Sequence, residues 1–424
     1  MNEHDPHVTR AWVLHPDIKA DRDRRDAEMA LEEGVALAAA LPDLEVVGSE
    51  VVPLRDPHPG TLFGSGKIAE LKERLKEAEV ELVLVDGPVT PVQQRNLEKE
   101  WKVKLLDRTG LILEIFSDRA ATREGVLQVE MAALSYQRTR LVRAWTHLER
   151  QRGGLGFVGG PGETQIEADR RAIDEQLVRL RRQLDKVVKT RALHRKARAK
   201  VPYPIVALVG YTNAGKSTIF NRLTGAEVLA KDMLFATLDP TMRAVQLPTG
   251  MDVILSDTVG FISDLPTELV AAFRATLEEV LAADLVLHVR DISHPGTMEQ
   301  AEDVYAILRS LGVNEDVSQI EVWNKIDQLD PEDREAALAR AARDEGIFAV
   351  SAITGEGLDG LLEAVTERLQ GASIDEDVRL GFGEGKRRAW LFQKGLVLSE
   401  EQDEEGYLLH LRWTAKDRAQ FETV

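Results

Sequence analysis

The sequence predicts a mixed α/β protein of several domains, and three observations predict it. Short apolar runs alternate with helix-length stretches at the N-terminal end; two stretches of heptad-spaced apolar residues flank a glycine cluster; and a later apolar strand leads directly into a glycine-rich loop and a helix. At 424 residues the chain exceeds one typical domain, since about 100–200 residues apiece gives two to four compact units. The expected divisions are an N-terminal α/β domain over residues 1–115, a long antiparallel helical hairpin over 116–200, a domain with a mostly parallel sheet and helices on both faces over 201–370, and a small C-terminal α/β domain over 371–424.

Composition narrows the field. A hydrophobic fraction of 43% and a charged fraction of 30% supply several cores and exclude wholesale disorder. No apolar run approaches the roughly 18 to 20 residues that cross a bilayer, so membrane insertion is not expected. The polar start MNEHDPHVTR has no basic-then-apolar leader, so a cytoplasmic protein is expected, with association to a larger particle or to the membrane periphery left open. The absence of cysteine excludes disulfides, thiolate metal sites and cysteine nucleophiles. A net charge of −18 argues against nucleic-acid partners, and DNA is not expected as one. The charge is uneven, however: Met131–Lys200 holds 17 Lys and Arg against 7 Asp and Glu, a local +10 that leaves −28 on the rest. Such asymmetry points to a nucleic-acid-facing element on an acidic body.

In the first domain, Ala11–Leu14, Val46–Val52, Leu82–Val85 and Val103–Leu106 read as strands, and Asp21–Leu41, Lys67–Ala78 and Pro91–Trp101 as the helices between them. That alternation gives a parallel layer. The glycines of His58–Lys67 suit either a phosphate cradle or a plain loop entering a helix; their order matches no phosphate motif, and the plain loop is favoured.

The hairpin follows from periodicity. Leu127, Met131, Leu134, Leu141, Trp145 and Leu148 step by threes and fours with one gap, and Ile166, Ile173, Leu177, Leu180, Leu184 and Val187 form a second seam. The second helix, from Glu163 to near Ala199, would be about 55 Å long at 1.5 Å per residue, holding the loop between the helices away from the body. Pro202 and Pro204 close it. A dimerising coiled coil has the same periodicity. The tip favours another use: six glycines lie within residues 153–162, beside Arg150 and Arg152, a composition suited to sharp bending or close approach to a nucleic acid.

The third domain opens on the strand Ile205–Val209, followed by Gly210-Tyr211-Thr212-Asn213-Ala214-Gly215-Lys216-Ser217 and the helical Thr218–Leu223. This is the P-loop pattern in its required strand–loop–helix context. Its backbone N–H groups would cradle phosphates, Lys216 would reach the β- and γ-phosphates, and Ser217 would ligate Mg²⁺. Asp257-Thr258-Val259-Gly260 follows the strand Val253–Ser256; there Asp257 can hold Mg²⁺ through water and the Gly260 N–H can meet the γ-phosphate. Asn324-Lys325-Ile326-Asp327 closes a further strand. Guanine carries adjacent N1–H and amine donors that one carboxylate accepts together, which makes Asp327 a guanine reader, with Asn324 bracing the loops and Lys325 covering the base. Ser351-Ala352-Ile353, after the strand Ile347–Val350, can present a backbone N–H to the guanine carbonyl. GTP, GDP and Mg²⁺ are the expected ligands, and the P-loop GTPase reading extends over 201–370.

The order GYTNAGKS, FATLDPT (Phe235-Ala236-Thr237-Leu238-Asp239-Pro240-Thr241), DTVGF, NKID and SA resembles the translation-factor-related GTPases, and FATLDPT resembles their HflX branch. The resemblance continues through Leu105–Thr109, Arg123–Gly125, Leu127–Met131 and Gly160–Arg170, and covers most of residues 50–370. It implies GTP hydrolysis, binding to the large ribosomal subunit and its rRNA, and the splitting or rescue of stalled ribosomes. The hairpin tip would then touch rRNA through Arg150, Arg152, Gly153, Gly154, Gly159 and Gly160. Thr237 becomes the switch residue that coordinates Mg²⁺ and senses the γ-phosphate; Thr241 is the alternative that spacing leaves open. Lys216, Thr237 and Gly260 would form the catalytic set.

Many such enzymes place a water-orienting glutamine after the DxxG glycine, but Phe261 stands here, so slow intrinsic hydrolysis stimulated by the ribosome is expected. Arg243 and Arg274 are conceivable arginine fingers, with surface arginine the preferred reading. Beyond Gly371, the patterns Trp390–Leu398 and Tyr407–Trp413 suggest the small tail domain, with Glu400–Glu405 as an acidic turn. A monomer is expected. Two other readings keep the same nucleotide site: a GTPase of large-subunit assembly or RNA modification, and a signalling GTPase that binds only proteins.

Overall fold

The structure is a computed structural model that describes residues 8–20, 25–151, 161–198, 203–226, 234–235, 238, 241–265, 280–313, 318–370, 373–403 and 406–422. The first layer runs β1 (Thr9–Ile18), α1 (Ala27–Ala39), β2 (Leu44–Leu54), α2 (Ser65–Glu77), β3 (Leu82–Val85), α3 (Pro91–Trp101), β4 (Lys104–Asp107) and α4 (Arg108–Arg119). Its four strands are parallel in the order β2-β1-β3-β4. Strand alternation divides the apolar side chains between two faces. Trp12 and Leu14 pack with Phe63, Leu71 and Leu97 on one side, whereas Ala11 and Val13 join Leu37, Ile112 and Phe116 on the other. The start of α3 is fixed by a reciprocal capping box between Thr90 and Gln93, with Pro91 in the first turn. The glycine-rich 58–67 stretch makes a tight turn closed by a His58–Leu62 bridge and then enters α2, where Lys67 pairs with Glu50 and Glu70 at 2.8 Å each.

The expected boundary at residue 115 falls inside α4, because Ile115 and Phe116 still fill the core beneath the sheet. The hairpin follows as α5 (Arg123–Gln151) and α6 (Pro161–Arg198). At its root, Leu127, Val129 and Ala132 are buried, the latter two in the same core as α4. Further out, Gln176 donates to Glu130 at 3.1 Å and Arg138 pairs with Asp174 at 2.7 Å, tying the helices together. Arg150 lies on the last turn of α5. Arg152, Gly153, Gly154, Gly159 and Gly160 lie outside the described residues.

The third layer comprises β5 (Ile205–Gly210), α7 (Lys216–Thr224), β6 (Thr241–Gln246), β7 (Asp252–Asp257), β8 (Leu285–Asp291), α8 (Thr297–Ser310), β9 (Ser318–Asn324), α9 (Pro331–Ala341), β10 (Ile347–Ala349) and α10 (Leu358–Gln370). The sheet order is β10-β9-β8-β5-β7-β6, parallel throughout except for edge strand β6, which runs antiparallel to β7. β8 is buried along Leu285–Arg290, as expected of a central strand covered on both faces. One of its faces belongs to a core with Phe220 and Leu361; the other belongs to the core of the first layer. A single apolar cluster thus runs from Val13 and Phe116 through Tyr211 and Phe261 to Val286 and Val304.

The tail is an antiparallel sheet in the order β11-β13-β12, built from β11 (Ser373–Leu380), β12 (Val397–Gln402) and β13 (Tyr407–Thr414), with α11 (Gly385–Gln393) and α12 (Ala415–Phe421). Its own core gathers Leu380, Leu391, Leu409, Leu411, Trp413 and Phe421. No described helix is long and apolar enough to cross a membrane.

Candidate nucleotide-binding site

The site forms where β5 ends at Gly210. The loop to α7 turns back at Gly215, whose φ of +94° suits glycine, and a Cβ there would lie 2.1 Å from Asn324 Nδ2. That proximity is used: Asn324 Nδ2 donates to the Ala214 carbonyl at 2.8 Å, while its Oδ1 accepts from the Ala352 N–H at 2.9 Å. Asn324 is 1% exposed and ties the phosphate loop, the end of β9 and the Ser351–Ile353 loop into one unit. Next to it Lys325, in the left-handed region at φ +69°, pairs with Asp291 at 2.6 Å. Asp327 is exposed on the short 3₁₀ turn Ile326–Gln328, free to face a base; Ile353 is 65% exposed, whereas Ser351 is fully buried.

On the phosphate side, Lys216 is buried and donates to the Gly210 and Tyr211 carbonyls at 3.1 and 2.7 Å. Burial pulls its pKa from 10.5 down to about 8, against the opposing pull of Asp257. Ser217 Oγ donates to Asp257 Oδ2 at 2.7 Å, which brings the two expected Mg²⁺-site groups together. The fully buried Thr258 secures the strand end by donating to the Leu208 carbonyl at 2.7 Å. No group of three or more potential His or carboxylate ligands exists among the described residues. The Ser217–Asp257 pair suits Mg²⁺, which typically takes one or two protein ligands and completes its octahedron with phosphate oxygens and water.

Gly260 is where the DxxG loop that follows β7 crosses the phosphate loop. A Cβ there would lie 2.8 Å from Thr212 Cγ2 and 3.1 Å from Lys216 Nζ, so only glycine fits. Thr212 N donates to the Phe261 carbonyl at 2.7 Å and Phe261 N to the Gly210 carbonyl at 3.1 Å. The Phe261 side chain is 1% exposed and packs in the shared core. Before β6, Leu234, Phe235 and Leu238 are buried in that core, and Phe235 sits edge-on to Phe116 of α4 at 4.6 Å. Ala236, Thr237 and Asp239 lie outside the described residues, as does Arg274, while Arg243 is exposed on β6.

A polar network that motif reading missed joins this site to the first layer. Glu33 of α1 accepts from the Tyr211 hydroxyl at 2.5 Å and from Ser263 Oγ at 2.6 Å, and pairs with Arg108. Arg108 also pairs with Asp86 and donates to the Ser263 carbonyl at 3.0 Å, while Asp86 accepts from His15 at 2.8 Å. The Tyr211 hydroxyl in turn accepts from the Ser263 N–H at 2.8 Å. Burial opposes the charge on Arg108, but Asp86 and Glu33 outweigh it and raise the pKa above the ordinary arginine value. Burial and the neighbouring Glu33 raise that of Tyr211. Only the Leu105–Thr109 stretch, which contains Arg108, carried any signal in the sequence; Glu33 sits on an unremarkable amphipathic helix.

A P-loop, a DxxG aspartate facing the P-loop serine and an NKxD asparagine bound to both neighbouring loops define a P-loop GTPase. Family models match nearly the whole chain: "GTP-binding GTPase N-terminal" over residues 28–117, "GTP-binding GTPase Middle Region" over 119–198, "50S ribosome-binding GTPase" over 205–325 and "HflX C-terminal domain" over 336–423. A GTPase HflX of Magnetococcus marinus is 50% identical over 90% of this chain and 87% of its own length; one of Escherichia coli is 43% identical over 94% and 91%. A putative GTP-binding protein 6 of Xenopus laevis is 35% identical over 92% of this chain and 74% of its own. The chain belongs to the HflX family of GTPases, and it binds and hydrolyses GTP.

Proposed function

We propose that this GTPase acts on the ribosome: bound GTP favours a shape that seats the α5–α6 hairpin in the large subunit against rRNA, and so dissociates or rescues stalled ribosomes. The carrying observation is the hairpin. α6 alone spans 38 residues, roughly 55 Å at 1.5 Å per residue, and Arg170, Arg171, Arg179, Arg181, Arg182, Lys186 and Lys189 are exposed along it. A basic rod on an acidic protein is attracted to phosphate backbones, and its reach exceeds what packing on its own body requires. The family description as a 50S ribosome-binding GTPase supports the same partner.

Within the site, Lys216 and the Gly260 N–H hold the γ-phosphate; Ser217 and Thr237 ligate Mg²⁺, with Asp257 acting through water; and Asp327 reads guanine. Bound Mg²⁺ offsets charge on the phosphates. The chain's own contribution is positional: Asn324 and the Gly260 crossing hold the base and phosphate halves of the cleft in register. Replacing Asp327 by Asn tests the base contact, since an amide cannot accept both guanine donors but matches xanthine, which carries a carbonyl in place of the amine. D327N is expected to lose GTP and gain xanthosine triphosphate.

The partner is tested by sedimenting intact ribosomes with the protein and a non-hydrolysable GTP analogue, GDP or no nucleotide. Analogue-dependent migration with the large subunit and depletion of intact ribosomes is the expected result. Protein remaining at the top of every gradient would refute the ribosomal assignment, and binding to immature subunits alone would favour an assembly role.

A further inference from the structure

Phe261 leaves the hydrolytic water without a glutamine partner, and one hydroxyl beside the phosphate loop is buried with nothing to bind. Thr212 is 6% exposed, and its Oγ1 has no hydrogen-bond partner. Buried hydroxyls are normally satisfied, so an orphan at a functional loop calls for a ligand that completes it. The location agrees. A Cβ built on Gly260 would lie 2.8 Å from the Thr212 methyl carbon, 2.9 Å from its Cα and 3.1 Å from Lys216 Nζ, so this threonine packs directly beside the groups assigned to the γ-phosphate. Its own N–H is bound to Phe261, the residue that replaces the usual water-orienting side chain, so backbone pairing fixes the threonine against the DxxG loop. Thr212 and its neighbours Tyr211 and Asn213 also line a cavity of about 600 Å³ between α1, α8 and the phosphate loop.

We propose that the Thr212 hydroxyl is a further catalytic contact for GTP hydrolysis, accepting a hydrogen bond from the attacking water. Lys216 now donates to the Gly210 and Tyr211 carbonyls, and turning to the phosphates releases both, the second of them on the residue next to Thr212. The water oxygen then bonds to the γ-phosphorus as the bond to the β–γ bridging oxygen breaks. The water's proton passes to an oxygen of the departing phosphate, leaving GDP and inorganic phosphate. Thr212 neither gains nor loses a proton; it orients the water, as expected where positioning supplies most of the catalysis.

The proposal rests on the placement of the γ-phosphate at Lys216 and Gly260, and the test separates the two. Thr212→Val keeps the shape and methyl packing but removes the hydroxyl; Thr212→Ser keeps the hydroxyl. T212V is expected to lower the single-turnover rate about tenfold or more while GTP affinity stays within about twofold, and T212S is expected to retain most of the rate. Binding of GDP with aluminium fluoride, which mimics the transferring phosphoryl group, should weaken in T212V while binding of GDP alone does not. A T212V rate equal to that of the unsubstituted protein, or an equal loss in T212S, would overturn the proposal. Undiminished GTP affinity in K216A would instead refute the phosphate placement.

Discussion

Lys216 is a buried amine that waits on its own loop's carbonyls with its pKa lowered to about 8. Phosphates favour the charged form, so above pH 8 the site must take up a proton as it binds nucleotide. Affinity for GTP should therefore fall as pH rises from about 8, by up to tenfold per unit, until the lysine titrates in the complex as well. Calorimetry in buffers of different ionisation enthalpy would detect the proton; a flat affinity between pH 8 and 10 would show the amine charged from the start. Gly215→Ala places a methyl group on Asn324 at a left-handed backbone, and nucleotide binding should drop by more than tenfold, a loss of about 1.4 kcal/mol or greater. The residues of these contacts were legible in the sequence because each motif specifies a side chain at a fixed place on a strand–loop junction. The encounter of Arg108 and Glu33 with Ser263 was not: the Leu105–Thr109 stretch marked Arg108 but not its partners, which meet across 155 and 230 positions that no local pattern spans.

At the scale of elements, the alternation of apolar runs located β3 and α3 to the residue, because a buried parallel strand and a capped helix each carry their own boundary signals. Periodicity did not fix the end of the first layer, since α4 supplies apolar residues to both the sheet and the root of α5. The Arg108 cluster ties α4 to Glu33 of α1 and to Ser263 beyond the DxxG loop. Arg108→Met should cost about 3–5 kcal/mol in denaturant unfolding, because it removes the buried cation that Asp86 and Glu33 share and leaves them only His15 and the looser 3.7 Å pair with Arg25. Adding Asp86→Asn should recover part of that loss. Burial pushes the Asp86 pKa up, but Arg108 and His15 prevail and hold it below the ordinary value. The stabilisation this carboxylate supplies is complete above its unfolded pKa of about 3.9 and disappears as pH falls through its lower folded value.

For the whole molecule, the charge division read from composition becomes a spatial division between a basic rod and an acidic body. If the hairpin tip meets rRNA, replacing Arg150 and Arg152 by alanine should weaken ribosome binding for all ribosome types alike and reduce the salt dependence of log affinity by roughly one to two units of slope. GTP turnover without ribosomes should stay unchanged in that variant. A loss of basal turnover would place the tip's influence in the catalytic site. Basal turnover itself should be slow, a rate that single-turnover assays with and without ribosomes would compare directly.

The apolar cluster that unites the first layer with the GTPase sheet also constrains how the protein is made. Ala11, Val13, Ile112 and Phe116 reach the ribosome exit early, but partners such as Val286, Val304 and Val313 follow them by well over a hundred residues. At roughly 5–20 residues per second, elongation leaves that sticky face uncovered for about ten seconds or more. During that interval the nascent chain is a substrate for holding chaperones. Synonymous slowing of translation between the two halves should lower its yield, even though the finished protein is identical.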